Sequence, residues 1–174
     1  MRRDQASGQG LVADGLLSNV DDARARQFHE GYCANDDEEC RKDPARTPAD
    51  FNKPWEDVPE TIRHANRMTA DHFEVKLRAV ECRIAAKGEG ESARFVPEEM
   101  ETLARMEHGR WWADRALDGW KFGDPRDNKR KLHPSMVPYE ELTERIKQLD
   151  RDSVDQMVRI LDREGSIVIR DVRQ

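Results

Sequence analysis

The chain is short of cysteine, of aromatic residues and of long apolar runs, and each shortage closes off a class of protein. Its three cysteines, Cys33, Cys40 and Cys82, are scattered through 174 residues. An odd, sparse set does not build a disulfide framework and fits a reducing, cytoplasmic setting. No apolar run approaches the roughly 18 residues of a membrane span. The opening "MRRDQASGQG" has two arginines but no apolar stretch behind them, unlike a secretory leader. Direct membrane insertion is therefore not expected. A basic excess is missing too: the net charge is −6, which does not suit binding to duplex nucleic acid.

Several chemical signatures are also absent. His29, Cys33 and Cys40 are not followed by a second Cys/His pair at zinc spacing, so no metal is expected, and no cofactor motif appears. There is no G-x-S-x-G and no G-x4-G-K-[ST], and His29-Glu30 does not extend to H-E-x-x-H. Glu107 and His108 are adjacent, so on a helix they point about 100° apart and do not converge. No catalytic residue is expected.

What is present is helical periodicity. "VDDARARQFHEGYC" from Val20 to Cys33 reads as a helix, and the charged, proline-containing stretch after it reads as a long loop. The next helix has Asp57 and Glu60 at capping-box spacing with Pro59 inside its first turn, and an apolar stripe through Ile62, Ala65, His72 or Phe73, Leu77 and Val80. "CRIAA" reads as a short strand. Pro97 opens another helix, with Met100, Leu103, Met106, Trp111 and Leu117 as its core side. Two further helical pieces, at 140–149 and 153–163, lead to a terminal strand in "SIVIR".

The sequence also repeats itself. Trp55–Arg67 matches Tyr139–Arg151 at a shift of 84, with Glu56/Glu140, Glu60/Glu144, Ile62/Ile146 and Arg67/Arg151 identical. Upstream, Ala25-Arg26-x-x-His29-x-x-Tyr32 matches Ala104-Arg105-x-x-His108-x-x-Trp111 at a shift of 79. The reading is a mainly α chain with short β-strands, built as two helix–connector–helix–strand halves. Each half is too small to bury much apolar surface, so the two should pack together about a pseudo-twofold as one domain.

The stretch from Leu103 to Val154 carries an H-x-x-W helix (His108, Trp111) and then Gly119, Trp120, Phe122 and Gly123 in a G-W-x-[YF]-G pattern. Asp127 and Arg130 follow, then His133, Pro134, Met136, Val137, Pro138 and Tyr139, then Asp150-Arg151. This resembles the RyR domain, the repeat named after ryanodine receptors. The first half resembles a diverged copy that keeps His29, Tyr32, Trp55, Asn66 and Arg67 but lacks the G-W and H-P elements. The resemblance divides the chain into a flexible arm (1–19), a first repeat (20–88), a linker (89–96) and a second repeat (97–174). It implies a peripheral signalling or sensing module, often bacterial and often tandem, with an adenine-nucleotide-type ligand and no known enzyme activity.

The candidate binding residues follow. Trp111 and Tyr32 occupy matching positions, and across a pseudo-twofold their rings could form a slot for a planar base, with stacking worth roughly 1–3 kcal/mol. His108 and His29 share their helix faces. Arg105, Arg26, Arg110 and Arg115 on the same helices, with Lys121 and Arg130 in the connector, are candidates for phosphate or ribose. The plainer reading makes the aromatics core, the histidines satisfied by hydrogen bonds, and "RDNKRK" a solvated loop. Three functions follow: a nucleotide-sensing module with its ligand between the halves, a module that binds a partner protein or another copy of itself, and an enzyme acting on a nucleotide. The connector "GWKFGDPRDNKRKLHPSMVPYEEL" is expected to be stiff, with Trp120, Phe122, Val137 and Tyr139 anchoring it to the core.

Overall fold

The computed structural model describes residues 14–171, with side chains from Asp22 onward. The expected N-terminal arm falls outside the described residues as far as residue 13, and its remainder is helical. In chain order the elements are α1 (Asp14–Lys42), α2 (Glu60–Asp71), α3 (Phe73–Ala79), β1 (Cys82–Ala86), α4 (Pro97–Leu117), β2 (Lys121–Phe122), β3 (Leu132–His133), a 3-10 turn (Tyr139–Glu141), α5 (Glu144–Arg163) and β4 (Ser166–Arg170). The chain is mainly helical with a minor share of strand.

One apolar cluster joins α1, α3, α4 and α5, while α2 packs on α1 through Ile62, Ala25, Trp55 and Val58. Phe28 from α1, Phe73 and Leu77 from α3, and Leu103 from α4 meet Val154, Met157, Ile160 and Leu161 from α5. The α5 residues recur at three- and four-residue steps, so they share one face. Full burial of each such side chain is worth about 1.5–3 kcal/mol. β1 and β4 pair antiparallel, with Ile84 opposite Val168 and Cys82 opposite Arg170. A two-stranded ribbon is marginal alone. This one is held by burying Cys82, Ala85, Val168 and Ile169.

The interactions of one half recur in the other at the sequence shifts. Arg26 pairs with Glu56, and Arg105 with Glu140. Arg67 pairs with Asp22 and Glu60, and Arg151 with Glu101 and Glu144. The pairing of Ile84 with Val168 joins two residues that the shift of 84 equates.

Several local expectations are corrected. α1 runs nine residues past Cys33. Its last turns carry no apolar period. They are supported instead by Lys42 against Glu38 and Glu39, and by basic Arg41 and Lys42 at the C-terminal end. The helix after Pro59 is interrupted at His72. Its capping box does not form, because Glu60 is taken by Arg63 and Arg67. The two last helical pieces are one helix, α5. Leu117, expected in the core, is 91% exposed because α4 ends on it, beyond the packed region.

The first connector is organised by Asp36, which is 3% exposed. Its carboxylate accepts from Arg46 Nη2 (2.8 Å), the Ala49 N–H (2.8 Å) and Asn52 Nδ2 (3.0 Å). In the second connector β2 and β3 pair in parallel. Gly119 turns the chain at φ +82, and a Cβ on Gly123 would lie 2.8 Å from Leu132 Cβ. Tyr139 is buried as expected, but Phe122 is 60% exposed on this short ribbon rather than an anchor.

Phe28→Ala removes the ring that meets Tyr32 and Phe73 at the centre of the core. It should cost about 3–5 kcal/mol of unfolding free energy, read as a lower urea midpoint at unchanged slope.

Candidate functional site

The two histidines tie each connector to its helix. His29 is 2% exposed and donates from Nε2 to Lys53 O at 2.7 Å. His108 is 3% exposed and donates from Nε2 to Val137 O at 2.8 Å. A carbonyl only accepts, so each Nε2 carries the hydrogen. Two residues beyond each accepted carbonyl stands an aromatic ring, Trp55 or Tyr139. Each lies against the histidine ring, at 5.7 and 6.1 Å between centroids. Each is also covered by an arginine, Arg26 at 5.5 Å and Arg105 at 5.2 Å. Glu56 and Glu140 neutralise those arginines, so both are committed to holding connectors.

Arg110 is committed too, in a buried charge cluster. Lys76 Nζ lies 2.5 Å from Glu107 Oε2, and both side chains are almost wholly buried. Arg110 reaches the other Glu107 oxygen at 2.8 Å. Burial pushes the Lys76 amine down, and the Glu107 partnership opposes this. Burial would raise the Glu107 carboxyl, but Lys76 and Arg110 outweigh it and hold the group below its ordinary range. Arg110 Nη1, Asp150 Oδ2, Ser153 Oγ and His72 Nδ1 are buried around this cluster without a hydrogen-bond partner among the described residues. Tyr32 also abuts it: burial first, then the Glu107 charge, raises its phenol to about 12.

Trp111 has a different setting. It is half-buried, stacks on His108 (5.7 Å, 25°) and meets His133 edge-on (4.9 Å, 68°). Trp120 meets the same histidine at 6.1 Å. Arg115 and Arg126 lie over Trp120 at 5.6 and 5.8 Å. Neither arginine makes an ion pair among the described residues. Among the described residues Arg126 donates to Asn128 Oδ1. Arg126 is exposed overall, but partial desolvation of its guanidinium and then repulsion from Arg115 lower its pKa, while Asp50 of the first connector partly opposes the shift. His133 accepts the Ser135 N–H on Nδ1 (3.1 Å). Burial and the two arginines push it down to about 4. The arrangement is a face of two indoles and a neutral imidazole beside two cations that lack an anion.

The structure thus keeps Trp111 and Arg115 together and adds Trp120, His133 and Arg126. Trp120 and His133 were visible as motif residues. Arg126 had no signal beyond its basic run, because the β2–β3 pairing is what returns it to Trp120. Tyr32 packs on Phe28 (6.3 Å) at the margin of the central core. Among the described residues no ring contact joins it to Trp111. Lys121 and Arg130 are exposed. Two shallow concavities of about 450 and 280 Å³ lie elsewhere, the larger beside Glu98, Glu99 and Arg170 and the smaller beside Arg24, Phe73 and Arg78. Among the described residues no His, Cys, Asp or Glu group is placed to hold a metal, and no helix is long and apolar enough to cross a membrane.

His133 gives a pH prediction. Its folded pKa lies below its unfolded value, so its contribution to stability is present above about pH 6.5 and is lost as pH falls toward about 4. His133→Gln should shrink the acid-side drop in thermal midpoint over that window, measured by differential scanning fluorimetry.

Residues 94–169 match the family model of the RyR domain. This part of the chain is an RyR domain, as its motifs implied.

Proposed function

We propose that the protein is a non-catalytic sensing module that binds an adenine nucleotide or a nucleotide-derived signal in a reducing, cytoplasmic compartment. The carrying observation is the pair of unneutralised arginines beside the Trp111–His133–Trp120 face. A planar base suits the aromatic face, and a phosphate suits Arg115 and Arg126. Asp50, which acts on Arg126, belongs to the first connector, so a ligand here would lie where the halves approach one another. The paired interactions at shifts of 79 and 84 support reading the chain as two RyR-type repeats about a pseudo-twofold, the first diverged and outside the family match.

A second reading rests on a separate observation. Leu117 and Phe122 are 91% and 60% exposed on either side of Trp120. A partner protein or a second copy would cover such groups. Light scattering that finds one copy per particle, with no change in the Leu117→Ser/Phe122→Ser variant, would remove the self-association form of this reading.

The nucleotide reading is tested by a thermal-shift and calorimetric screen with ATP, ADP, cyclic nucleotides, NAD and ADP-ribose. A bound ligand should raise the thermal midpoint in proportion to ln(1 + [L]/Kd). Trp111→Ala should weaken the best ligand by roughly 1–3 kcal/mol, about 5- to 150-fold. Arg115→Gln should weaken phosphate-bearing ligands and flatten their salt dependence. Affinity unchanged in Trp111→Ala would place the ligand elsewhere. No stabilisation by any of these compounds would end this reading.

A further inference from the structure

The most unusual polar group the binding face leaves unused is Asp150. Its Oδ2 is buried and accepts no hydrogen bond among the described residues. It lies 3.8 Å from His108 Nδ1. The other nitrogen of that ring is committed to Val137 O, and its face is stacked on Trp111. A proton on this carboxyl sits beside the imidazole without a hydrogen bond to it. Its gain or loss changes the charge directly behind the indole.

We infer that Asp150 is a positioning residue whose protonation state, 3.8 Å from the His108 ring, sets the charge behind Trp111 and makes the binding face sensitive to pH.

The surroundings favour a proton here. α4 presents Glu107, His108 and Arg110, α3 presents Lys76, α1 presents Tyr32, the 3-10 turn presents Tyr139, and α5 itself adds Arg151. Lys76 and Arg110 are already engaged with Glu107, so a second carboxylate finds little free positive charge. Burial, and then the Glu107 charge, raise the Asp150 carboxyl to about 7. The first half offers a non-titrating counterpart. The shift of 84 equates Asp150 with Asn66, whose Nδ2 donates to Ile62 O at 2.9 Å. An amide is therefore accommodated at this place in the fold.

The sign of the effect is fixed. Asp150 is ordinarily ionised in the unfolded chain above about pH 4 and stays protonated in the folded one up to about 7. Its contribution to stability therefore falls as pH rises through that window. His133 and His72, both lowered, act in the opposite sense on the acid side, so the informative quantity is the difference between wild type and Asp150→Asn. The thermal midpoint of Asp150→Asn should rise relative to wild type between about pH 5 and pH 8, by roughly 5 °C or more. In wild type, the ¹⁵N shift of His108 Nδ1 and the fluorescence contributed by Trp111 (wild type minus Trp111→Phe) should titrate together near neutrality and stay flat in Asp150→Asn. The NMR titration needs no substitution, so it decides the matter even if a variant fails to fold. A flat His108 signal across the range, or a midpoint difference independent of pH, overturns the inference.

The consequence for affinity rests on the proposed function. ATP binding should weaken roughly fivefold as Asp150 loses its proton, and Asp150→Asn should abolish that dependence. If no nucleotide binds at any pH while His108 and Trp111 titrate as described, the nucleotide reading fails and the proton link stands. If ATP binds with the same pH dependence in wild type and Asp150→Asn, the link to the binding face is overturned.

Discussion

A buried imidazole holding a connector carbonyl is the constraint on which the rest of the molecule depends. His29 holds Lys53 O and His108 holds Val137 O, each bond made inside the protein where an unpaired carbonyl would be costly. Once that carbonyl is held, the residue two places on must turn its ring toward the histidine. Trp55 and Tyr139 do so, and each then provides a surface for an arginine from the same helix. The carboxylate that follows each ring, Glu56 or Glu140, closes the loop onto that arginine. A segment with little regular structure is thereby given a defined path. In the second half that path carries Trp120, His133 and Arg126 to Trp111.

How much of this was legible in the sequence follows from what each signal encodes. Apolar periods report burial directly, and α4, the helical character of α3 and α5, and the "CRIAA" and "SIVIR" strands were readable from them, but not the break at His72 or the continuity of α5. The end of α1 was not, because charge pairs rather than apolar spacing support it. Leu117 and Phe122 misled for a related reason: hydrophobicity marks a preference for burial, and the geometry of a helix end or a two-residue ribbon decides whether a core is there to meet it. At the site, Trp111 was found from its repeat match with Tyr32, and Arg115 from lying on the same helix. Arg126 required the return path of the connector. Tyr32's packing on Phe28 required the tertiary arrangement.

The two halves also differ in a way that bears on how many binding faces the chain offers. The shift of 79 places Asp36 where the second half has Arg115. Asp36 is buried and bound to Arg46, Ala49 and Asn52, and these contacts lower its carboxyl pKa, the Ala49 N–H foremost. Arg115 lies over Trp120 without an ion pair among the described residues. The same position thus closes one connector on itself and leaves the other with spare positive charge. Under the proposed reading, the anion-binding side belongs to the second half alone.

The central charges add a further asymmetry. The shifts equate Lys76 with Ile160, Glu107 with Phe28 and Arg110 with Gly31. On one side of the core lie Lys76, Glu107 and Arg110. The counterpart positions are apolar or bare, and Gln156 fills the space over Gly31, donating to the carbonyls of Gln27 and Phe28. Two copies of the first half, joined in this geometry, would place Lys76 twice against Phe28. Two copies of the second would place Glu107 twice against Ile160. The first pairing buries Lys76 without a carboxylate, which costs several kcal/mol per ion, and the second leaves Glu107 with Arg110 but without Lys76. Under the proposed reading as two repeats, the first half joined to the second gives Lys76 its carboxylate. A buried ion pair contributes little net stability compared with a well-packed apolar substitute, but under the repeat reading it would favour this pairing over a pairing of like halves. That reading gives a physical reason for charge beside a core of phenylalanine, leucine, isoleucine, valine, methionine and one cysteine.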